Sequence, residues 1–200
     1  MPAATRRPVR RRADVVAAAL DLLARVGLPD LTMRALGAEL GVQQSAIYHH
    51  VESKQALLGA VADEILARGP RRRPRADDGP LDVLRLRCED VRAAVLAYPD
   101  GADVVMSMWA FGLGGRSPVA EVDALLESAG VPAEHVTTAG RTVLHFVYGH
   151  AYDEQSRAQA ARAGIVTADA PADFATGLGI VLAGVRALAE DGRAGGSQPG

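Results

Sequence analysis

The chain has no asparagine, one lysine (Lys54) against 21 arginines, and one cysteine, Cys88. A lone cysteine rules out an internal disulfide, and a cytosolic home is the simple expectation for such a chain. Aromatic residues make up only 4%. Ala, Val and Leu must therefore fill the core, which argues for closely packed helices over a sandwich of β-branched and aromatic strands. No run of 18 apolar residues occurs, so no membrane span and no membrane partner are expected. The arginine-rich start leads into apolar residues broken by Asp14, Asp21 and Arg25, unlike a secretory leader. Motifs of catalysis are missing too: no nucleophile signature, no HExxH pair, no glycine-rich phosphate loop after a strand. An enzyme would have to work with His145, Tyr148, Asp153 and Glu154 as acid–base groups, and Gly-Leu-Gly-Gly at 112–115 lacks a preceding strand.

What is present points elsewhere. The hydrophobic share is 48% of 200 residues, ample for a buried core. The net charge of −2 hides an asymmetry: residues 1–75 hold 13 Lys+Arg against 7 Asp+Glu (+6), and residues 76–200 hold 9 against 17 (−8). A basic front and an acidic back imply an anionic partner for the front alone.

Helical spacing recurs in segments along the chain and no stretch shows convincing period-2 alternation, so the expected fold is all-α. Residues 1–12, with Arg6, Arg7 and Arg10 to Arg12, read as a disordered basic arm. A helix is expected over 13–26, stopped by Gly27. Thr32 is a candidate N-cap for a second helix through Leu40. Gly41 breaks it, and a third runs from Gln44 to His50. Ser53 caps a connecting helix over 53–68. Residues 69–79, "GPRRRPRADDG", read as a linker. Beyond it, helices are expected at 81–97, 103–110, 118–129, 133–155 and 172–190, with a loop over 156–170 and a disordered tail at 191–200. The implied organisation is a DNA-binding unit over 13–68 and a helical unit over 80–190.

The segment from Thr32 to Val51 carries the most information. Leu36, Leu40, Val42, Ile47 and Val51 are its apolar positions. Gly37 is small where two helices would cross, and Gly41 suits a turn with positive φ. This is helix-turn-helix spacing, in which the second helix enters the major groove. Its outward residues are Gln44, Ser45, Tyr48 and His49. Gln pairs with adenine in bidentate fashion, Ser contacts either partner, and Tyr reaches phosphate or sugar. A metal is the rival for the adjacent His49 and His50. Neighbours on a helix point about 100° apart, so they cannot share an ion, and no i, i+4 partner exists. A solvated helix without a partner is the plain alternative. No metal and no cofactor are expected.

With those residues in view, "LTMRALGAELGVQQSAIYHHVESKQALLGAV" resembles the DNA-binding segment of the TetR family. That family follows its recognition helix with tyrosine-x-histidine and then a lysine, matched by Tyr48, His50 and Lys54. The likeness is to the tetracycline-repressor branch, and extends to "YPDGADVV" at 98–105, "GHAYDEQ" at 149–155 and "FATGLGIVLAGVRAL" at 174–188. The resemblance implies that Arg34 contacts a base or phosphate, that Gln44 and Ser45 face base edges, and that Tyr48 touches backbone and bases. It implies phosphate contacts for Thr32, His50 and Lys54, and places His49 where the branch has tryptophan.

It further implies a homodimer on a palindromic double-stranded operator, regulated by a small-molecule effector. The heptad-like row Phe174, Leu178, Val181, Val185 is the expected dimer seam, with intramolecular core as the alternative. Effector contacts are expected from Met106, Trp109 and Phe111 and from the polar and ring-bearing residues of the 133–155 helix: Arg141, His145, Tyr148, Tyr152 and Asp153. The branch's drug- and magnesium-binding histidines are matched by Val105 and Pro70, and its glutamate by Asp153. Valine cannot ligate a metal, so the expected effector is not tetracycline–magnesium but another hydrophobic or aromatic molecule. A DNA-binding regulator with no effector is the alternative.

Overall fold

The computed structural model describes residues 11–166 and 173–195, and every regular element among them is helical. The expected basic arm lies outside the described residues up to position 10, and the tail does so from position 196. The helices are α1 Arg12–Asp30, α2 Met33–Leu40, α3 Gln44–Ile47, α4 Lys54–Arg68, α5 Pro80–Leu96, α6 Gly101–Ala110, α7 Ser117–Ala129, α8 Ala133–Arg162 and α9 Phe174–Gly195. No helix among the described residues is long and apolar enough to cross a membrane.

Local chemistry explains most of the boundaries. The Asp14 carboxylate accepts the Arg11 backbone N–H at 3.0 Å as α1 begins. Thr32 and Ser53 cap α2 and α4, their hydroxyl oxygens accepting the Ala35 and Ala56 N–H groups at 3.0 Å each. Gly41 ends α2 in the left-handed region at φ 68°. Gly27, expected to stop α1, does break it, with φ 76° and ψ 177°. The chain then winds one more turn through Pro29 to Asp30, so the break is a kink rather than an end.

Two expectations need correction. The loop expected from 156 begins later, because α8 continues to Arg162. Residues 156–163, Ser-Arg-Ala-Gln-Ala-Ala-Arg-Ala, lack an apolar stripe but are among the best helix formers. The Gln159 side chain also anchors that extension, donating to the Asp100 carboxylate. Gly164 then turns the chain at φ 71°. Positions 167–170 of that loop lie outside the described residues. The third helix is shorter than expected. After Ile47 the chain tightens into a turn, with the His50 N–H on the Ile47 carbonyl at 2.8 Å.

The chain between α4 and α5 contains no helix but is tied down. The Asp90 carboxylate accepts the Arg72 backbone N–H at 3.1 Å and its Nε at 2.5 Å. α4 joins the two halves, packing against α1 on one side and α6 on the other. Val61, Ala62 and Ile65 are fully buried in that double contact.

Candidate nucleic-acid interface

The front of the molecule is a small helical scaffold. Leu20, Leu23, Leu36, Ile47 and Val51 are buried and pin α1, α2 and α3 together. α2 and α3 approach closely at Gly37, where a Cβ would sit 3.0 Å from the Val42 carbonyl oxygen. A larger residue there would force the two helices apart. The turn at Gly41 adds the Val42 N–H on the Gly37 carbonyl at 2.9 Å.

On this scaffold Gln44, Ser45, Tyr48 and His49 are all exposed, and His50 is half-buried beside them. Arg34 and Thr32 are exposed at the start of α2, and Lys54 is half-buried at the start of α4. The eight expected DNA-contacting residues therefore come from three helix starts and one turn. Among the described residues, Arg34, Gln44, Ser45, Tyr48, His49, His50 and Lys54 make no side-chain hydrogen bond or ion pair. Tyr48 keeps 45% of its surface exposed with an unused hydroxyl. Polar groups held out by a rigid apolar base, and not satisfied internally, form a surface ready for an external polar lattice. Gln43, ahead of α3 and also exposed, joins this edge. Its only sequence signal is a polar side chain one position before the helix.

The expected effector residues fall into two sets. Trp109, Arg141, His145 and Tyr148 come together. Trp109 lies with its ring centroid 4.7 Å from His145 and 5.4 Å from Tyr148, and Arg141 sits over it at 5.7 Å. Tyr148 is fully buried and donates to the Gly115 carbonyl at 3.4 Å, so it serves the core. Burial also raises its phenol well above the ordinary value. Phe111 and Tyr152 are exposed, Asp153 pairs with Arg157 on the surface at 2.9 Å, and Met106 packs at the core margin. These eight thus divide between a ring cluster and separate surface or core-margin positions.

A cavity of about 190 Å³ lies instead between the end of α4, the chain after it, α5 and the first turn of α7. Leu66, Val91, Pro118 and Val122 form apolar wall, and Asp63, Arg71, Arg87, Asp90 and Glu121 supply charge. The Arg87 Nε donates to Glu121 at 2.7 Å and its Nη1 to Asp90 at 3.0 Å. Arg71 reaches the other Glu121 oxygen at 3.0 Å. The i, i+3 pair of Arg87 and Asp90 is legible on one helix face, but nothing local announces that Glu121 and Arg71 join it.

The expected dimer seam also divides. Phe174, Leu178 and Val185 are 8%, 0% and 4% exposed within the single chain. Phe174 stacks on Phe146 at 5.6 Å with Arg92 over its face at 4.9 Å. These three pack into the core of the single chain. The outward apolar face of α9 is rotated from them. Ile180 is 70% exposed, and it lines a groove with Val181, Gly184, Thr138 and Thr142 of the α8–α9 pair.

Comparison with known proteins agrees with this layout. Residues 15–61 match the model of the bacterial regulatory proteins of the tetR family, and residues 74–168 match the tetracyclin repressor-like C-terminal domain. The tetracycline repressor class A of transposon 1721 from Escherichia coli is 38% identical over 146 residues, 71% of this chain and 66% of that protein. The crystal structure of Mycobacterium smegmatis BioQ superposes with a TM-score of 0.81 at 38% identity, covering 90% of this chain and 99% of that one. A structure of BioQ with its double-stranded DNA operator gives a TM-score of 0.76 at 37% identity over 89% of this chain and 99% of that one.

Proposed function

The chain belongs to the TetR family of DNA-binding transcriptional regulators, and from that premise we propose that it is a homodimeric repressor of a palindromic operator, released by a small-molecule effector. The observation that carries the DNA half is the row of polar side chains at Arg34, Gln44, Ser45, Tyr48, His49, His50 and Lys54 without internal partners. In this reading Gln44 and Ser45 read base edges. Tyr48 reads the groove wall, and Thr32, His50 and Lys54 hold phosphates. One such unit reads only a few base pairs, so two copies on adjacent half-sites are required for a specific site. The outward face of α8 and α9 around Ile180 and Val181 is where the second copy docks. BioQ, which has been captured on its own DNA operator, supports the DNA reading by likeness.

For the effector, the cavity at Leu66, Arg87, Asp90 and Glu121 is a better site than the ring cluster at Trp109. It touches α4, the helix that links it to the DNA-reading unit. α4 also carries Asp63, whose Oδ1 accepts the Gly115 N–H at 2.8 Å just before α7. A ligand that prefers one tilt of α4 shifts the spacing of the two recognition helices, and only differential affinity for the two states drives that shift.

Selection of bound sequences from random duplex DNA tests the first half. A palindrome with half-sites one helical turn apart is the expected product, and a uniform pool without enrichment would falsify the operator reading. An effector-independent regulator is the second reading. A broad compound library that never changes operator affinity would favour it.

A further inference from the structure

We infer that the effector is a small amphipathic carboxylate, bound in the α4–α5–α7 cavity by Arg87 and Arg71 in competition with Glu121; this rests on the placement of the effector site proposed above. Size comes first. The volume of about 190 Å³ is below the ~300–1,000 Å³ of pockets for drug-sized molecules, which suits a short acid better than a multi-ring compound.

Charge comes second, and the spare hydrogen-bond donors point to an anion. Of the three carboxylates on the cavity wall, Asp90 takes the Arg72 N–H, the Arg72 Nε and the Arg87 Nη1, and Asp63 accepts the Gly115 N–H through Oδ1. Glu121 is bridged by two guanidinium groups, at Oε1 by Arg87 and at Oε2 by Arg71. The donors are not saturated. Arg87 has only 13% of its side chain exposed, yet its Nη2, with two N–H groups, has no acceptor among the described residues. Arg71 uses one Nη and leaves its Nε and Nη1 unpaired. A largely buried guanidinium with spare donors favours an incoming anion, and a carboxylate matches its planar fork.

The first turn of α7, with Ser117 and Pro118, forms one edge of the cavity. Its N-cap, Arg116, makes no side-chain capping bond, and the Asp63 carboxylate accepts the Gly115 N–H just before it. The apolar wall of Leu66, Val91 and Val122 then accepts a short hydrocarbon body.

Glu121 gives the proposal its sharpest test, because it competes with an anion and would attract a cation. Calorimetric titration of the full-length protein with hexanoate or benzoate, against hexanamide and hexylamine, is the measurement. The acids should bind and the amide and amine should not. Glu121→Gln keeps an acceptor for the arginines but removes the competing charge, so it should tighten acid binding by roughly tenfold. Arg71→Ala, on an exposed side chain, should weaken it several-fold while leaving operator binding of the free protein intact. Preferential binding of the amine or amide, abolished by the plug Ala67→Trp, would overturn the carboxylate and leave the cavity standing. Acid binding that ignores Ala67→Trp would overturn the cavity and the inference with it. Silence from all four probes overturns both.

Discussion

Gln44 and Lys54 would act differently in the proposed DNA interface. Gln44 is exposed beside a buried Ile47 and has no internal partner. Its amide offers a donor and an acceptor to one base edge. Gln44→Ala should cost about 1–3 kcal/mol of operator binding and relax preference at one base position, read by titrating single-base operator variants. Lys54 contributes a point charge at a helix start. Lys54→Gln should weaken all duplexes alike and lower the slope of log affinity against log salt by about 1. At the other end of the polarity scale, Cys88 is 1% exposed, and burial pushes its thiol up to about 12 from 9.0. The native thiol should resist an aromatic disulfide reagent at pH 8 and react at once in guanidinium. The raised value also has a thermodynamic sign. The unfolded thiol ionises above about pH 9 while the folded one holds its proton, so this residue's contribution to stability is complete below that pH and declines towards 12.

At the scale of the element, Asp100 is the joint of greatest consequence. It sits at φ 56°, the one non-glycine left-handed residue among those described, and begins α6. Its carboxylate accepts the Leu28 N–H at 2.7 Å and the Gln159 amide, so it fastens the end of α1 to the end of α8. Asp100→Ala loses both bonds and strains the backbone. It should cost about 2 kcal/mol, a fall of roughly 4–8 °C in melting temperature by calorimetry. Asp100→Gly should cost less, because only the bonds are lost. Joints of this kind are where the sequence stops being legible. The helices and the exposed residues of the DNA edge follow from apolar spacing, caps at Thr32 and Ser53, and glycines at 37 and 41. The continuation of α8 does not, because an alanine-rich stretch carries propensity without period. Nor does the orientation of α9. Its row at 174, 178, 181 and 185 marks an apolar face correctly, but the same face can cover another helix or another subunit. Only the packing of Phe174 on Phe146 and beneath Arg92 decides. The cavity is least legible of all, since Arg71, Arg87 and Glu121 meet only in three dimensions.

For the whole molecule the question is assembly. Ile180 is 70% exposed in the single chain, so the folded protomer gains little from it. Ile180→Arg should therefore leave the helical circular dichroism spectrum unchanged. In the proposed dimer the same side chain lies against its counterpart, and two like charges there are not tolerated. Sedimentation should then show a monomer, and affinity for a palindrome should collapse to that of a half-site. A variant that sediments as a dimer would place the subunit contact elsewhere.

The meeting of α4 with the 112–115 turn has a consequence for how such a protein can change over generations. A Cβ built on Gly59 runs into the Leu113 carbonyl, and one built on Gly114 runs into the Gly59 carbonyl. The two segments touch main chain to main chain, and even a methyl group is too large. Most contacts between helices can drift through a series of slightly better and slightly worse side chains. This one has no such series, since each glycine is either kept or lost. In the proposed regulator, sensitivity to a signal would therefore be retuned gradually at the rim, through Asp63 and the cavity wall, and not at the contact of Gly59 with Gly114.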